Sequence, residues 1–356
     1  MDEVRLRALR ERIDELDEAL AVLLERRAET AREIGAAKGD GPTYDPAREA
    51  RILRNLQARH PDLDPEALGA VHREVISLCR GVQRHLSAAC LGPEGSFSHA
   101  AALRALGHGT NLALQPDLPS VFRALEEGSA ALGVVPVENT LEGTVLPTLD
   151  AFSRAAPEVR VLRELRLPVR HVLASREPAL DRIREVHSHP QALAQCRLWL
   201  AGHLPGTPQI PEASTSGAAE RAARTPGTAC LCSREAAGLR GLTVLARDVQ
   251  DHPHNATRFW VLGTGQAPEG NPRKTSLLFT VPHRPGTLLD ALDPLREAGL
   301  NLTLIQSRPL PENPFEYFFC VDFQGPAEAP EAARALEAME ARCFRLRILG
   351  SYPVES

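Results

Sequence analysis

Apolar residues Leu6, Leu9, Ile13, Leu16, Leu20 and Leu23 recur in alternating steps of three and four, the spacing of one helix face. The stripe predicts an amphipathic helix of at least about eight turns, long enough to need a partner helix. Its next position is Arg27, and a cation in an apolar seam is costly unless it meets an anion. Lys38 follows eleven residues later; at about 100° per residue it returns to within about 20° of Arg27, so two cations share one face. Arg10 is offset by about a quarter turn and points to a different site. Asp45-Pro46 supplies an N-cap and a proline at the first helical position, and predicts a second helix carrying Arg48 and Glu49. Asp64-Pro65 repeats the device before a third stripe of Leu68, Val71, Val75, Cys79, Val82 and Leu86, with Gln83 one turn after Cys79.

Beyond residue 87 the pattern changes to short apolar runs alternating with helical segments, which predicts an α/β domain over residues 88–268. Strands are expected at Ala88–Leu91 and Ala131–Val135, helices at Gln191–Leu200 and Ala218–Ala223, and a strand-like run at Phe259-Trp260-Val261-Leu262. Gln266–Pro272 reads as a linker, rich in Pro, Gly and Asn. Residues 273–356 then give strand Thr275–Val281, helix Thr287–Ala298, strands Leu302–Ser307 and Glu316–Phe323, helix Ala329–Ala341 and strand Phe344–Ile348. This βαββαβ order predicts an α+β, ferredoxin-like domain.

Composition narrows the class. With 356 residues, 43% hydrophobic and 24% charged, the chain is an ordinary soluble protein of two or three domains. A net charge of −5 without a long basic block argues against nucleic acid or an anionic membrane as partner. No apolar run approaches the roughly 18 residues of a membrane span, and the charged start Met1-Asp2-Glu3-Val4-Arg5 does not read as a signal peptide. Seven scattered cysteines suit reduced thiols in a cytoplasm better than a disulfide framework.

The candidate chemistry lies in loops. Gly92–Ser98, Val186–Pro190 and Ala213–Gly217 each precede a helix and are rich in hydroxyls and small residues, and helix N-termini are natural seats for carboxylates. Each serine or threonine there can equally be a plain N-cap; several in one domain favour an anionic ligand in a cleft. Asn255-Ala256-Thr257-Arg258-Phe259 sets an amide, a hydroxyl and a cation against an apolar run, as a buried site requires. Nothing favours a metal or cofactor. Cys230 and Cys232 alternate in an apolar strand, and His187, His189, His252 and His254 form near-pairs without a third ligand at a known spacing.

Leu9-Arg10-Glu11-Arg12-Ile13-Asp14, Arg27, Ile34-Gly35-x-x-Lys38, Asp45, Arg48-Glu49 and Gln83 together resemble the all-helical chorismate mutase family. The resemblance implies two chains interlocked through the first helix, with Arg10 reaching into the partner's site. Arg27, Lys38 and Arg48 would hold the two carboxylates and the ether oxygen of chorismate. Asp45 belongs to the same substrate-binding set, Glu49 would bind the hydroxyl, and Gln83 would join Lys38 at the ether oxygen. Cys79 stands where the family often has a small hydroxyl residue. A Claisen rearrangement fits such a site, because it needs no nucleophile, only a dicarboxylate held in a chair with cations where charge builds on the breaking C–O bond.

Gly92-Pro-x-Gly95-Ser-x-Ser98, Pro136-Val-Glu-Asn139-Thr-x-x-Gly143, Ser188-His-Pro-Gln191, Ser214-Thr215 and Asn255-x-Thr257-Arg258-Phe259 resemble prephenate dehydratase, in that family's order. The implied fold is two α/β lobes, like a periplasmic binding protein, with the site between them. Thr257 would be the catalytic centre, supported by Glu138, Asn139, Ser188 and Gln195, while Thr215 and Arg258 help hold substrate. Prephenate loses carbon dioxide and hydroxide together. A neutral donor suits that, since a full cation on the departing carboxylate would stabilise the ground state. A proton relay through water or Glu138 is an open alternative to direct donation by Thr257.

Pro285-Gly286-Thr287-Leu288 and Gln306-Ser307-Arg308-Pro309 resemble the two effector motifs of ACT domains. That resemblance implies feedback inhibition by L-phenylalanine at Gly286, Thr287, Leu288, Gln306, Ser307 and Arg308, although the family usually has Glu at Gln306. The reading is a bifunctional enzyme, a homodimer or higher homo-oligomer, taking chorismate through prephenate to phenylpyruvate. Two alternatives stand beside it. Arogenate could replace prephenate, or the chain could be a two-lobed ligand-binding regulator with a helical dimerisation arm.

Overall fold

The computed structural model describes residues 2–39, 41, 43–83, 86–264, 273–310 and 317–355. They form two compact units, Met1–Leu86 with Leu106–Asn111, and Ser87–Ala105 with Leu112–Ser356. The expected linker, Gln266–Pro272, and Glu316 lie outside the described residues.

The first unit holds α1 (Asp2–Lys38), α2 (Pro46–Arg59) and α3 (Pro65–Gln83). Both predicted starts form as the sequence requires. Asp45 Oδ1 accepts from the Arg48 amide at 2.9 Å, and Asp64 Oδ2 from the Ala67 amide at 2.9 Å. α1 meets α3 through Ala28, Ala31 and Cys79, small side chains that let the backbones approach. Gly35 carries this closest, since a Cβ there would lie 3.1 Å from the Gln83 Cα. The apolar stripe from Leu6 to Leu23 stays about half exposed in the single chain.

The second unit opens with β1 (Ser87–Leu91), α4 (Phe97–Leu106), β2 (Asn111–Gln115), α5 (Leu118–Glu126), β3 (Leu132–Asn139), β4 (Gly143–Thr144), α6 (Leu146–Arg154) and β5 (Val159–Pro168). The chain then crosses to a second lobe of β6 (Val172–Ser175), β7 (Glu185–Ser188), α7 (Pro190–Gln195), α8 (Arg197–His203), β8 (Gln209–Pro211), α9 (Thr215–Arg224), β9 (Thr228–Cys232), α10 (Arg234–Leu239) and β10 (Thr243–Ala246). It returns as β11 (Ala256–Thr264), which lies antiparallel between β3 and β5. The second lobe's sheet runs β10-β6-β9-β7-β8. In β9, Cys230 and Cys232 face one core while Ala229 and Leu231 face the other, so the alternation seen in the sequence is that of a strand covered on both sides.

The remainder is β12 (Lys274–Thr280), α11 (Thr287–Glu297), β13 (Leu302–Pro309), β14 (Tyr317–Gln324), α12 (Pro330–Glu340), β15 (Arg345–Tyr352) and β16 (Val354–Glu355). The βαββαβ order is present, with sheet order β13-β14-β12-β15. Leu277 and Phe279 face the two helices, while Leu278 on the opposite face packs with Phe152, Trp260 and Leu349. β16 adds in parallel to β5 and completes the first sheet as β16-β5-β11-β3-β1-β2.

Two local expectations are corrected. β3 runs through Pro136 to Asn139 rather than ending at Val135. A proline is admissible there because β1 pairs with β3 only as far as Val134, leaving that edge free of the amide Pro136 lacks. The helix expected over Gln191–Leu200 is broken at Cys196 into α7 and α8.

Candidate active sites

In the helical unit, the end of α1, the start of α2 and the end of α3 bring the predicted polar residues to one region. Arg27 Nη1 donates to the Val75 carbonyl at 3.3 Å. Gly35 abuts Gln83 one turn before Lys38, and the buried Gln83 Oε1 meets no protein partner among the described residues. Asp45 is engaged as the α2 cap with Arg48 at its third position. Cys79 is buried in the α1–α3 seam. Arg10 does not join them: seventeen residues separate it from Arg27, about 25 Å along a helix. The residue that sequence reasoning missed is Arg80, only 5% exposed, with Nη1 3.1 Å from Glu49 Oε1.

In the second unit the polar residues gather where the chain crosses between lobes. The two crossing segments are tied together, with the Val169 amide on the Asn255 carbonyl at 2.8 Å and the Val249 amide on the His171 carbonyl at 3.0 Å. Across this junction runs a chain of side-chain hydrogen bonds. Asn139 Nδ2 donates to Thr257 Oγ1 and to Asn255 Oδ1, both at 2.9 Å. Asn255 Nδ2 donates to Gln195 Oε1 at 3.1 Å, and His171 Nε2 lies 3.1 Å from the same oxygen. An amide oxygen only accepts, so this placement puts the His171 proton on Nε2. Asn139 is held from behind, its Oδ1 accepting the Leu141 and Glu142 amides at 2.9 and 3.2 Å.

Burial lowers the His171 pKa from 6.5, against the opposing effect of the Gln195 hydrogen bond. The ring sits edge-on to Phe97, and its Nδ1 has no partner among the described residues. Asn255 stood in the polar segment singled out above. His171 carried no signal beyond being a lone histidine beside an apolar strand.

The other predicted residues fall elsewhere. Ser188 Oγ is satisfied inside the second sheet by the Leu231 carbonyl at 2.7 Å, and Thr215 sits half-buried in the first turn of α9, behind the Ser214 cap. Arg258 departs most from expectation. Neighbouring strand residues face opposite sides, so Thr257 pairs with Asn139 and Arg258 with Glu138. Arg258, 7% exposed, donates from Nη2 to Asp322 Oδ2 at 2.7 Å, and its Nε lies 3.5 Å from Glu138 and 3.6 Å from Glu164. Lys274 Nζ bonds both Glu164 oxygens at 2.9 and 3.0 Å. Burial works against the Arg258 charge, but Asp322 and Glu164 outweigh it and raise the pKa. Tyr352, Ser276 and Trp260 close the cluster, with Ser276 Oγ 2.5 Å from Asp322 and Trp260 Nε1 3.2 Å from the Tyr352 hydroxyl. On this side Glu138, Arg166, Arg258, Arg273 and Lys274 border a cavity of about 760 Å³.

In the C-terminal segment, Gly286, Thr287 and Leu288 line a cavity of about 560 Å³ with Val281, Leu292 and Phe319. Gly286 caps α11 at φ 88°, a backbone conformation suited to glycine, with no side-chain cap among the described residues. Gln306, Ser307 and Arg308 do not line this cavity. Arg308 instead grips Asp150 through Nε and Nη2, at 2.8 and 2.6 Å.

Family models match along the chain in order: chorismate mutase type II over residues 9–84, prephenate dehydratase over 88–267, and the ACT domain over 275–341. The bifunctional chorismate mutase/prephenate dehydratase of Stutzerimonas stutzeri is 36% identical over 358 residues, covering 98% of each chain. That of Aquifex aeolicus is 36% identical over 355 residues, covering 98% of each. Among solved structures, a prephenate dehydratase from Arthrobacter aurescens in complex with L-Phe superposes with a TM-score of 0.70 at 34% identity, covering 75% of this chain and 90% of that one. With the family models in this order and relatives of this kind matched over nearly their full length, the chain belongs to the bifunctional chorismate mutase/prephenate dehydratase family and carries both enzymatic activities.

Proposed function

We propose that residues 1–87 rearrange chorismate to prephenate, that residues 88–268 convert prephenate to phenylpyruvate, and that residues 273–356 regulate the second step in response to L-phenylalanine. The observation that carries the dehydratase assignment is the hydrogen-bonded chain from Thr257 through Asn139 and Asn255 to Gln195 and His171. It fixes a neutral hydroxyl at the junction of two lobes, on a strand that cannot rotate. Thr257 assists departure of the ring hydroxyl, Asn139 and Gln195 orient it, and Ser188 and Thr215 shape the second lobe's wall. Glu138 and Arg258 act from the far side of the strand. The two crossings between lobes favour a periplasmic-binding-protein-like arrangement, and the β13-β14-β12-β15 order a ferredoxin-like one.

In the mutase half, Arg27, Lys38 and Arg48 hold the carboxylates and the ether oxygen with Gln83, Asp45 and Cys79 line the pocket, and Glu49 takes the hydroxyl. Arg10 serves the partner's site. The bare Leu6–Leu23 stripe is the surface through which a homodimer forms. L-phenylalanine occupies the cavity at Gly286–Leu288, its carboxylate at the α11 N-terminus. Seven free cysteines, with burial holding the Cys90 and Cys196 thiols up to about 11 and about 12, suit a cytoplasmic protein.

Purified protein given chorismate without added metal or cofactor should yield phenylpyruvate, more slowly with L-phenylalanine present. Thr257→Ala should stop the sequence at prephenate, with dehydratase turnover down about a hundredfold or more and the mutase near normal. Equal loss of both activities would contradict separate sites. Faster turnover of arogenate than of prephenate would reassign the second substrate.

A further inference from the structure

Arg80 is a buried cation that the assigned chemistry does not use. Its guanidinium lies 5.3 Å over the Tyr44 ring, with Nη1 3.1 Å from Glu49 Oε1. Nη2 donates to the carbonyl of Leu106. Leu106 ends α4, more than twenty residues after α3, yet Leu106–Asn111 belongs to the helical unit.

This turn is built to fit α3. Gly107 has φ 73°, and a Cβ there would fall 2.4 Å from the Ser77 Cβ, so only glycine is accommodated. The Gly109 amide donates to Ser77 Oγ at 3.0 Å, and the His108 amide to Glu74 Oε2 at 3.0 Å. His108 Nδ1 adds a contact to Glu74 Oε1 at 2.9 Å, and Thr110 Oγ1 bonds the Leu106 carbonyl at 3.0 Å. The carbonyl that receives Arg80 is therefore fixed, and a planar guanidinium held on one edge has its other edge directed at Glu49.

We infer that Arg80 is a positioning residue for the mutase reaction: it orients Glu49, and the Leu106–Asn111 turn in turn orients Arg80. The mutase site is completed by a segment that lies within the dehydratase sequence. This rests on the reading that Glu49 takes the hydroxyl of chorismate.

The links act in series, which separates this role from general stabilisation. In the full-length protein, Arg80→Lys keeps the charge but cannot span both partners. Gly107→Val unseats the turn without touching the arginine, and still reads the link if Arg80→Lys fails to fold. Each should lower mutase kcat/KM by about tenfold, mainly through KM, with turnover of supplied prephenate within about twofold of the parent. The double variant should be no worse than either single one, because both interrupt the same chain. Folded variants with unchanged mutase kinetics, or losses that multiply in the double variant, would overturn the inference. A parent protein that does not rearrange chorismate, or a Glu49→Gln variant with normal KM, would instead sink the reading on which it rests.

Discussion

At the scale of single residues, function follows from which polar atoms are satisfied and which are left poised. Thr257, Asn139, Asn255 and Gln195 satisfy one another, so their positions are fixed before substrate arrives. His171 is different, buried with one nitrogen unpartnered among the described residues. Because burial lowers its pKa from 6.5, the folded protein refuses a proton that the unfolded chain accepts. Stability is then indifferent to this group above pH 6.5 and falls as the pH drops from 6.5 toward the folded value. Chemical denaturation at stepped pH should show this slope, and His171→Phe should flatten it relative to the parent. An identical slope in the variant would assign the effect to other groups. The carboxylates Glu185 and Glu212 also titrate low, through Thr228 for the first and His187 for the second, and being present in both proteins they contribute to both slopes alike.

At the scale of elements, strand β11 joins two tasks because a strand has two faces. One presents Thr257 to the lobe junction; the other presents Arg258 to Asp322 of β14 and Glu164 of β5. This buried ion cluster links the strand that carries Thr257 directly to the C-terminal sheet, so an effector that shifts β14 has a mechanical route to Thr257. Asp322→Asn leaves the Arg258 charge short of a partner in the interior. Removing one member of such a pair costs about 3 to 5 kcal/mol, seen as a marked fall in the denaturation midpoint. Replacing both members together with Arg258→Met and Asp322→Leu should recover much of that loss and leave L-phenylalanine inhibition weakened. Full inhibition in a folded double variant would exclude this route. Of these charges only Asp322 stands inside an apolar run of the sequence, Cys320-Val321-Asp322-Phe323, while Glu164 and Lys274 follow other charged residues. Their mutual pairing was not visible there, since 110 residues separate Glu164 from Lys274.

At the scale of the whole molecule, one long apolar stripe stands uncovered in the single chain. Leu6, Leu9, Ile13, Leu16, Leu20 and Leu23 stay exposed along a helix of 37 residues, and Arg10 is too distant from Arg27 to serve the same site. Mixed Arg10→Ala and Arg27→Ala chains should therefore regain mutase activity that neither has alone, because one site in each heterodimer keeps both arginines. Confirmed heterodimers without recovered activity would show that each chain supplies its own arginine.

Local pattern alone determined the three helices, the Asp-Pro starts of the second and third, the βαββαβ segment and the burial of Cys230 and Cys232, because these are set by local backbone chemistry and by which face must leave water. Motif order along the chain determined the family. Tertiary structure decided what depends on distant residues meeting. It placed Arg258 behind Thr257 rather than beside it, carried β3 through Pro136, and split the residues expected at the effector site between a cavity and the Arg308–Asp150 pair. It also brought Leu106 to Arg80. Each of these turns on the facing of a side chain, or on a partner remote in sequence, and a one-dimensional pattern records neither.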